Sequence, residues 1–265
     1  MRFDTSHAQF CKTVDPPTLS NLSIILNTSY GYAPLCPFTI SGDNCNTGGV
    51  PYRVSEGFLQ MICQRVLGDT TGICKIDCAG QHIEVAAAKT LYLVGFEFHG
   101  ATGGSVHVKP GGNLISINNK FVGNTGLNGG AIKLESSSNC QMFYNEFFNN
   151  EAVENGGALY SESSFASIAG CTFVENVAQN GGGVYAAAGS VRMSLDQSVF
   201  ASNVATVNGA AVSLANDNVG YFEVGNSGCD NVDPTGCNGA HRGGGTCDDF
   251  GRTCESPTPF PTPGE

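Results

Sequence analysis

The sequence predicts an all-β fold: a single-stranded right-handed parallel β-helix of about five or six coils, with disulfide-rich N- and C-terminal caps. Two phrases recurring in phase predict it, together with a period-two apolar pattern. Phe-x-x-Asn occurs as Phe121–Asn124, Phe147–Asn150, Phe173–Asn176 and Phe200–Asn203. Each copy is followed by a second phrase: Asn128-Gly129-Gly130-Ala131-Ile132, Asn155-Gly156-Gly157-Ala158-Leu159, Asn180-Gly181-Gly182-Gly183-Val184 and Asn208-Gly209-Ala210-Ala211-Val212. The Phe positions lie 26, 26 and 27 residues apart (147 − 121, 173 − 147, 200 − 173). A fixed period of this size marks stacked units, each too small to bury its own apolar face.

The unit is a coil of strands rather than a helical hairpin. Glycine in a helix interior costs roughly 1 kcal/mol, and every unit carries several glycines or asparagines. Apolar residues alternate instead. Four residues after the Asn of the second phrase stand Ile132, Leu159, Val184 and Val212; the residues that follow are Lys133, Tyr160, Tyr185 and Ser213. Leu134, Ser161, Ala186 and Leu214 then return to the first face, which is the strand period. Ahead of each Phe, a second alternating run has Ser116, Met142, Ile168 and Leu195 on one face, with Leu114, Cys140, Ala166 and Met193 on the same side.

Each unit therefore reads as three short strands joined by tight turns. Identical positions of successive coils stack at roughly 4.8 Å. Asparagine suits the turns, because it tolerates the left-handed region and its amide can bond the Asn above and below. The glycines supply positive φ and close approach between coils. Repeated Phe makes an internal aromatic stack that fixes register. A degenerate fifth coil contains Phe98 and Gly103-Gly104-Ser105-Val106-His107-Val108, and an earlier one uses Ile83 and Val85.

The paired motifs resemble the repeats of the polymorphic outer-membrane protein family of adhesins and autotransporters. The fold they imply resembles the pectin-lyase-like superfamily. That resemblance implies a secreted or cell-surface β-helix serving adhesion, surface structure or glycan binding without catalysis. Its alternative is a polysaccharide lyase or glycoside hydrolase.

Composition bounds the partners. A net charge of −11 is unlike that of a nucleic-acid or anionic-membrane binder. No apolar run approaches the 18 or so residues of a membrane helix. The expected partners are an extracellular glycan or a cell-surface protein, and the chain is expected to be monomeric. Glycine, at 36 of 265 residues, has about twice its usual share, as a turn-rich coil requires.

Twelve cysteines point to an oxidising compartment, although no apolar leader follows Met1. Cys11, Cys36, Cys45, Cys63, Cys74 and Cys78 precede the repeats; Cys229, Cys237, Cys247 and Cys254 follow them. Both groups are even, so disulfides fit each. Zinc competes at the second group, but its spacings contain no Cys-x-x-Cys. Cys140 and Cys171 fall at different phases of the coil and read as buried free thiols.

In chain order, residues 1–72 form the Cys-rich N-terminal cap. Asn21-Leu22-Ser23 and Asn27-Thr28-Ser29 are glycosylation acceptors in a secreted chain. Ser55 to Val66 reads as a short helix, with Ser55 as its cap and Leu59, Ile62, Cys63 and Val66 on one face, covering the open first coil. The β-helix occupies residues 73–224, ending in an apolar strand over Val219 to Val224. Residues 225–255 form the C-terminal cap, and residues 256–265 are a Pro/Thr-rich disordered tail.

In the superfamily that the motifs resemble, ligands lie over the outward residues of the sheet that here follows each Gly-Gly. Its outward row is His107, Lys133, Tyr160, Tyr185 and Ser213; the next is Lys109, Glu135, Glu162, Ala187 and Ala215. Stacked Tyr160 and Tyr185 make a platform for a sugar ring, or a ladder that only stiffens the sheet. With Lys133 and His107 they form the candidate ligand-binding set. Glu135 and Glu162, on adjacent coils, fall roughly 5 Å apart, the carboxylate separation of a retaining glycosidase. Such a pair needs a lysine or a bound Ca2+ to offset its repulsion, and the bland reading is a solvated charged face. Lys133, Glu135 and Glu162 are the candidate catalytic residues, with Lys109 as an alternative base. Gly-His-Gly, clustered aspartates on a coil, Gly-x-Ser-x-Gly and a Walker loop are all missing from the sequence.

Overall fold

The computed structural model describes residues 32–35, 38–41, 51–55, 57–63, 73–189, 192–216, 220–242 and 245–250. The glycosylation acceptors, Cys11, Cys36, Cys45, Cys254 and the 256–265 tail lie outside these residues. The chain forms an all-β parallel solenoid of about six turns, and strands at both ends join the sheets in register. Its four walls follow one another along the coils that carry the full motif. A broad wall of eight strands runs from Tyr32–Leu35 to Tyr221–Val224. Next comes an eight-stranded Phe wall, from Phe38–Ser41 to Ser227–Cys229. A short wall contains only Thr125–Asn128, Glu151–Asn155, Val177–Asn180 and Val204–Asn208. The glycine-led wall has nine strands, including Ile132–Leu134, Leu159–Ser161, Val184–Ala186, Val212–Leu214 and Ala240–Arg242.

The helix expected over Ser55 to Val66 is a strand, Phe58–Cys63, paired in parallel with Thr90–Val94. Its Leu59 and Met61 are buried, which is a period of two. A helix would have interrupted the broad wall, whereas the strand continues it towards the N-terminus. Coils bearing the full motif have four strands rather than three, because the segment between the two Asn phrases is itself extended and pairs with its neighbours. The final apolar strand spans Tyr221–Val224, and its Phe222 and Val224 face outward, 56% and 66% exposed.

The interior is ordered by three kinds of ladder. Phe98, Phe121, Phe147, Phe173 and Phe200 stack with ring centroids 4.7–5.2 Å apart, and Phe250 closes the C-terminal end at 5.4 Å. The Phe-x-x-Asn asparagines are fully buried and bonded rung to rung: the Asn124 amide reaches Asn150 Oδ1 at 2.9 Å, and Asn150, Asn176 and Asn203 each repeat the bond at 2.9–3.0 Å, ending on Asn231. Each amide also donates to the Phe carbonyl of the preceding coil, as Asn150 does to Phe121 at 3.1 Å. Phe and Asn thus recur together because the Asn of one coil caps the backbone of the Phe in the coil before it. Positive φ falls one residue ahead of the ladder asparagine, at Gly123, Asn149, Glu175 and Ser202, rather than on it.

The two glycines of the second phrase divide their work. Gly129, Gly156, Gly181 and Gly209 carry the positive φ, at 64–70°. A Cβ on Gly130, Gly157 or Gly182 would run into the backbone carbonyl of the next coil. A third ladder, two residues before each Phe, joins Asn119, Asn145, Cys171, Ser198 and Asn226 through side-chain acceptors to backbone N–H groups. Cys140 and Cys171 are buried free thiols. Cys63–Cys74 ties the broad wall to the Phe wall, and Cys237–Cys247 braces the C-terminal strands. Cys78 and Cys229 are also disulfide-bonded.

Candidate functional site

The outward face of the glycine-led wall is the candidate site. Strand register aligns Arg53, Glu84, His107, Lys133, Tyr160, Tyr185, Ser213 and His241 in a single row, one residue per coil. The expected outward row is therefore present and longer at both ends. His241, which lies beyond the last full repeat, stands on the strand Ala240–Arg242 beside Ser213. Only a partial phrase, Asn238-Gly239-Ala240, accompanies that strand, two residues out of phase with the full copies, so the sheet register is what reveals it.

The row has two chemically different halves. In the first, Glu84 meets Arg53 at 3.1 Å and Lys109 at 4.0 Å. Glu135 accepts from His107 Nε2 at 2.7 Å and Lys133 Nζ at 3.4 Å, and Lys109 Nζ lies at 3.6 Å. Burial alone would raise the Glu135 pKa, but the His107 hydrogen bond and the charges of His107, Lys109 and Lys133 bring it below the usual value. Burial holds His107 below its ordinary pKa despite Glu135, with help from the two lysines. At neutral pH this is a neutral imidazole donating to a carboxylate already held by two ammonium groups.

Glu162 does not share that cluster. Among the described residues no ion pair reaches it; its charge is felt instead by Tyr160, whose phenol is pushed up to about 12 mainly by burial and then by Glu162. Glu135 and Glu162 thus follow one another in register on adjacent coils, but their side chains face different partners. Among the described residues no group of three or more His, Cys, Asp or Glu side chains is placed to hold a metal ion. His107, Lys133 and Lys109 all meet Glu135 at the same oxygen, Oε1.

The second half is uncharged and aromatic. Tyr160 and Tyr185 are nearly parallel, 7° between planes and 5.7 Å between centroids. That geometry is an offset stack, so the facing sides of the two rings partly cover each other. The far side of Tyr185 remains, and it forms part of a depression of about 450 Å3 lined by Asn180, Asn208, Ser213, Leu214, Ala215, His241 and Gly245. Asn180 and Asn208 belong to an outer amide ladder, Asn155 to Asn128 at 2.9 Å, Asn180 to Asn155 at 3.0 Å and Asn208 to Asn180 at 3.4 Å. Burial also raises the Tyr185 phenol, so both hydroxyls stay protonated and can donate. One aromatic face, two amides, a hydroxyl and an imidazole converge on one opening.

Residues 69–231, more than half of the chain, match the family described as a right handed beta helix region. No curated protein and no solved structure matches the chain.

Proposed function

Since the chain belongs to the right-handed β-helix family, whose fold fits the pectin-lyase-like superfamily, we propose that it is a secreted or cell-surface protein that binds a glycan without cleaving it. The observation carrying this reading is the Tyr185 face opening onto the depression between Asn180, Asn208, Ser213 and His241. A pyranose ring offers an apolar face and a rim of hydroxyls, matching an aromatic wall ringed by amide and hydroxyl partners. Adhesion or a structural place at the cell surface, as in the polymorphic outer-membrane proteins, would use the same contact.

The charged half of the row supports binding over catalysis. A glycosidase acid must be protonated near neutral pH, whereas the neighbours of Glu135 favour its ionised form. A lyase base at Lys133 or Lys109 would first have to leave that carboxylate. The test is a glycan array read with the whole chain, its Tyr160→Ala/Tyr185→Ala variant and a parallel polyuronate digest. Binding lost in the variant with no unsaturated ends released supports the reading. Unsaturated product abolished by Lys133→Ala would replace it with the lyase.

A further inference from the structure

The broad wall differs from the other faces in one respect. On its five strands from Phe58–Cys63 to Phe165–Ala169, alternate residues point outward, and none of these fifteen is Asp, Glu, Lys or Arg. They include Tyr92, Val94, Ile115, Ile117, Phe143 and Phe165, each partly exposed. Among the described residues, charge enters the wall on its last two strands, at Arg192, Asp196 and Glu223. The Phe wall, by contrast, carries Lys75, Glu97, Lys120 and Glu146 in one outward row. In a chain of net charge −11, an uncharged face on which nine of fifteen outward residues are aliphatic or aromatic marks an interaction surface.

We propose that this wall is the interface of a two-fold dimer, occupied by a second copy of the same chain. Three features favour a copy over another partner. First, strand spacing and length give the eight-stranded wall a projected area on the order of 550 Å2, and side-chain relief brings it near the ~800 Å2 per partner of a stable interface. Second, a two-fold axis between strands Asn113–Ile117 and Asn139–Phe143 lays each copy's Arg192 and Asp196 over the other's uncharged Phe58–Cys63 strand, so like charges never oppose. Third, β-sheets can pack face to face through interdigitated side chains, and a two-fold contact uses the same patch on both copies. The glycine-led wall stays outside the contact, so the dimer stands or falls separately from glycan binding.

Sedimentation of the full chain over a concentration series tests the proposal. The expected result is a species of twice the chain mass that dissociates on dilution. Raising the salt should strengthen it, since screening relieves repulsion between two acidic copies and no ion pair holds the contact. Ile117→Lys/Phe143→Lys should sediment as a monomer with an unchanged circular dichroism spectrum. Val122→Lys, which adds a positive charge to the Phe wall instead, should remain dimeric. If the double variant does not fold, Val94→Lys alone serves. A wild-type chain monomeric throughout, including one that instead captures another protein or an insoluble polysaccharide through this wall, overturns the dimer. So does a dimer that survives the lysine substitutions.

Discussion

Asn176 Oδ1 accepts two hydrogen bonds from Asn150, one from its backbone N–H and one from its side-chain amide, both at 3.0 Å. The Asn176 amide in turn donates to the Phe147 carbonyl and to Asn203 Oδ1, both at 3.0 Å. Four bonds in the dry interior thus depend on one side chain. Asn176→Ala should cost about 3–5 kcal/mol, since it strands several buried partners at once. Urea unfolding checks this, with Asn149→Gly as a nearly neutral comparison because position 149 already holds φ 52°.

Gly157 tests the spacing between coils. Its φ is ordinary, so conformational freedom does not explain the glycine; the carbonyl of Gly182 occupies the space a methyl group would need. Gly157→Ala should destabilise the chain by about 1–3 kcal/mol, the cost of overpacking a tight contact. Gly57→Ala, where nothing lies near the new Cβ and φ is not positive, should cost less. Thermal melts of the two variants give the comparison.

Asp233 caps the last glycine turn. In earlier coils the first glycine N–H bonds the next coil's Asn carbonyl, as Gly181 does to Asn208; at Gly209 the Asp233 carboxylate takes over at 2.7 Å. Its other oxygen accepts from Thr235 N at 2.8 Å and Cys237 N at 3.1 Å. Burial works to raise its pKa, but the hydrogen bonds from Thr235, Gly209 and Cys237 prevail and lower it. A depressed carboxylate stabilises the fold above its unfolded value of about 3.9, and that contribution is lost as pH falls through the lower folded value. Asp233→Asn should therefore cost about 1–3 kcal/mol at pH 7. The gap to wild type should narrow only below about pH 4, as equilibrium unfolding at several pH values would reveal.

Cys140 and Cys171 should be inert in the native state. Burial raises both thiols, Cys171 to about 12, so neither forms thiolate at neutral pH. Mass-spectrometric mapping after alkylation should find both unmodified in the folded protein and both modified after denaturation with the disulfides intact.

The repeat made most of this architecture readable. Phe98 to Phe200 and Asn124 to Asn203 announced stacked rungs because each column keeps one residue type, and period-two alternation assigned Lys133, Tyr160 and Tyr185 to the outer face. Columns that change type were opaque. Asn119, Asn145, Cys171, Ser198 and Asn226 share one hydrogen-bonding task with three kinds of side chain. Phe58–Cys63 was misread because Leu59, Ile62 and Cys63 satisfy helical spacing, whereas the strand is set by its pairing with Thr90–Val94. His241 and Asp233 lie beyond the last full repeat, where register alone brings them to the wall and the turn. Glu135 and Glu162 share a column, and only the positions of His107, Lys109 and Lys133 decide which of them is neutralised.

The binding account depends on which aromatic side chain meets the ligand. Its most direct measurement is the affinity of Tyr185→Ala for the best glycan on the array, by titration calorimetry, beside Phe148→Ala on the Phe wall. The account predicts a loss of tenfold or more for Tyr185→Ala, about 1.4 kcal/mol or above, and wild-type affinity for Phe148→Ala. Undiminished affinity in Tyr185→Ala, with the fold intact, would contradict it.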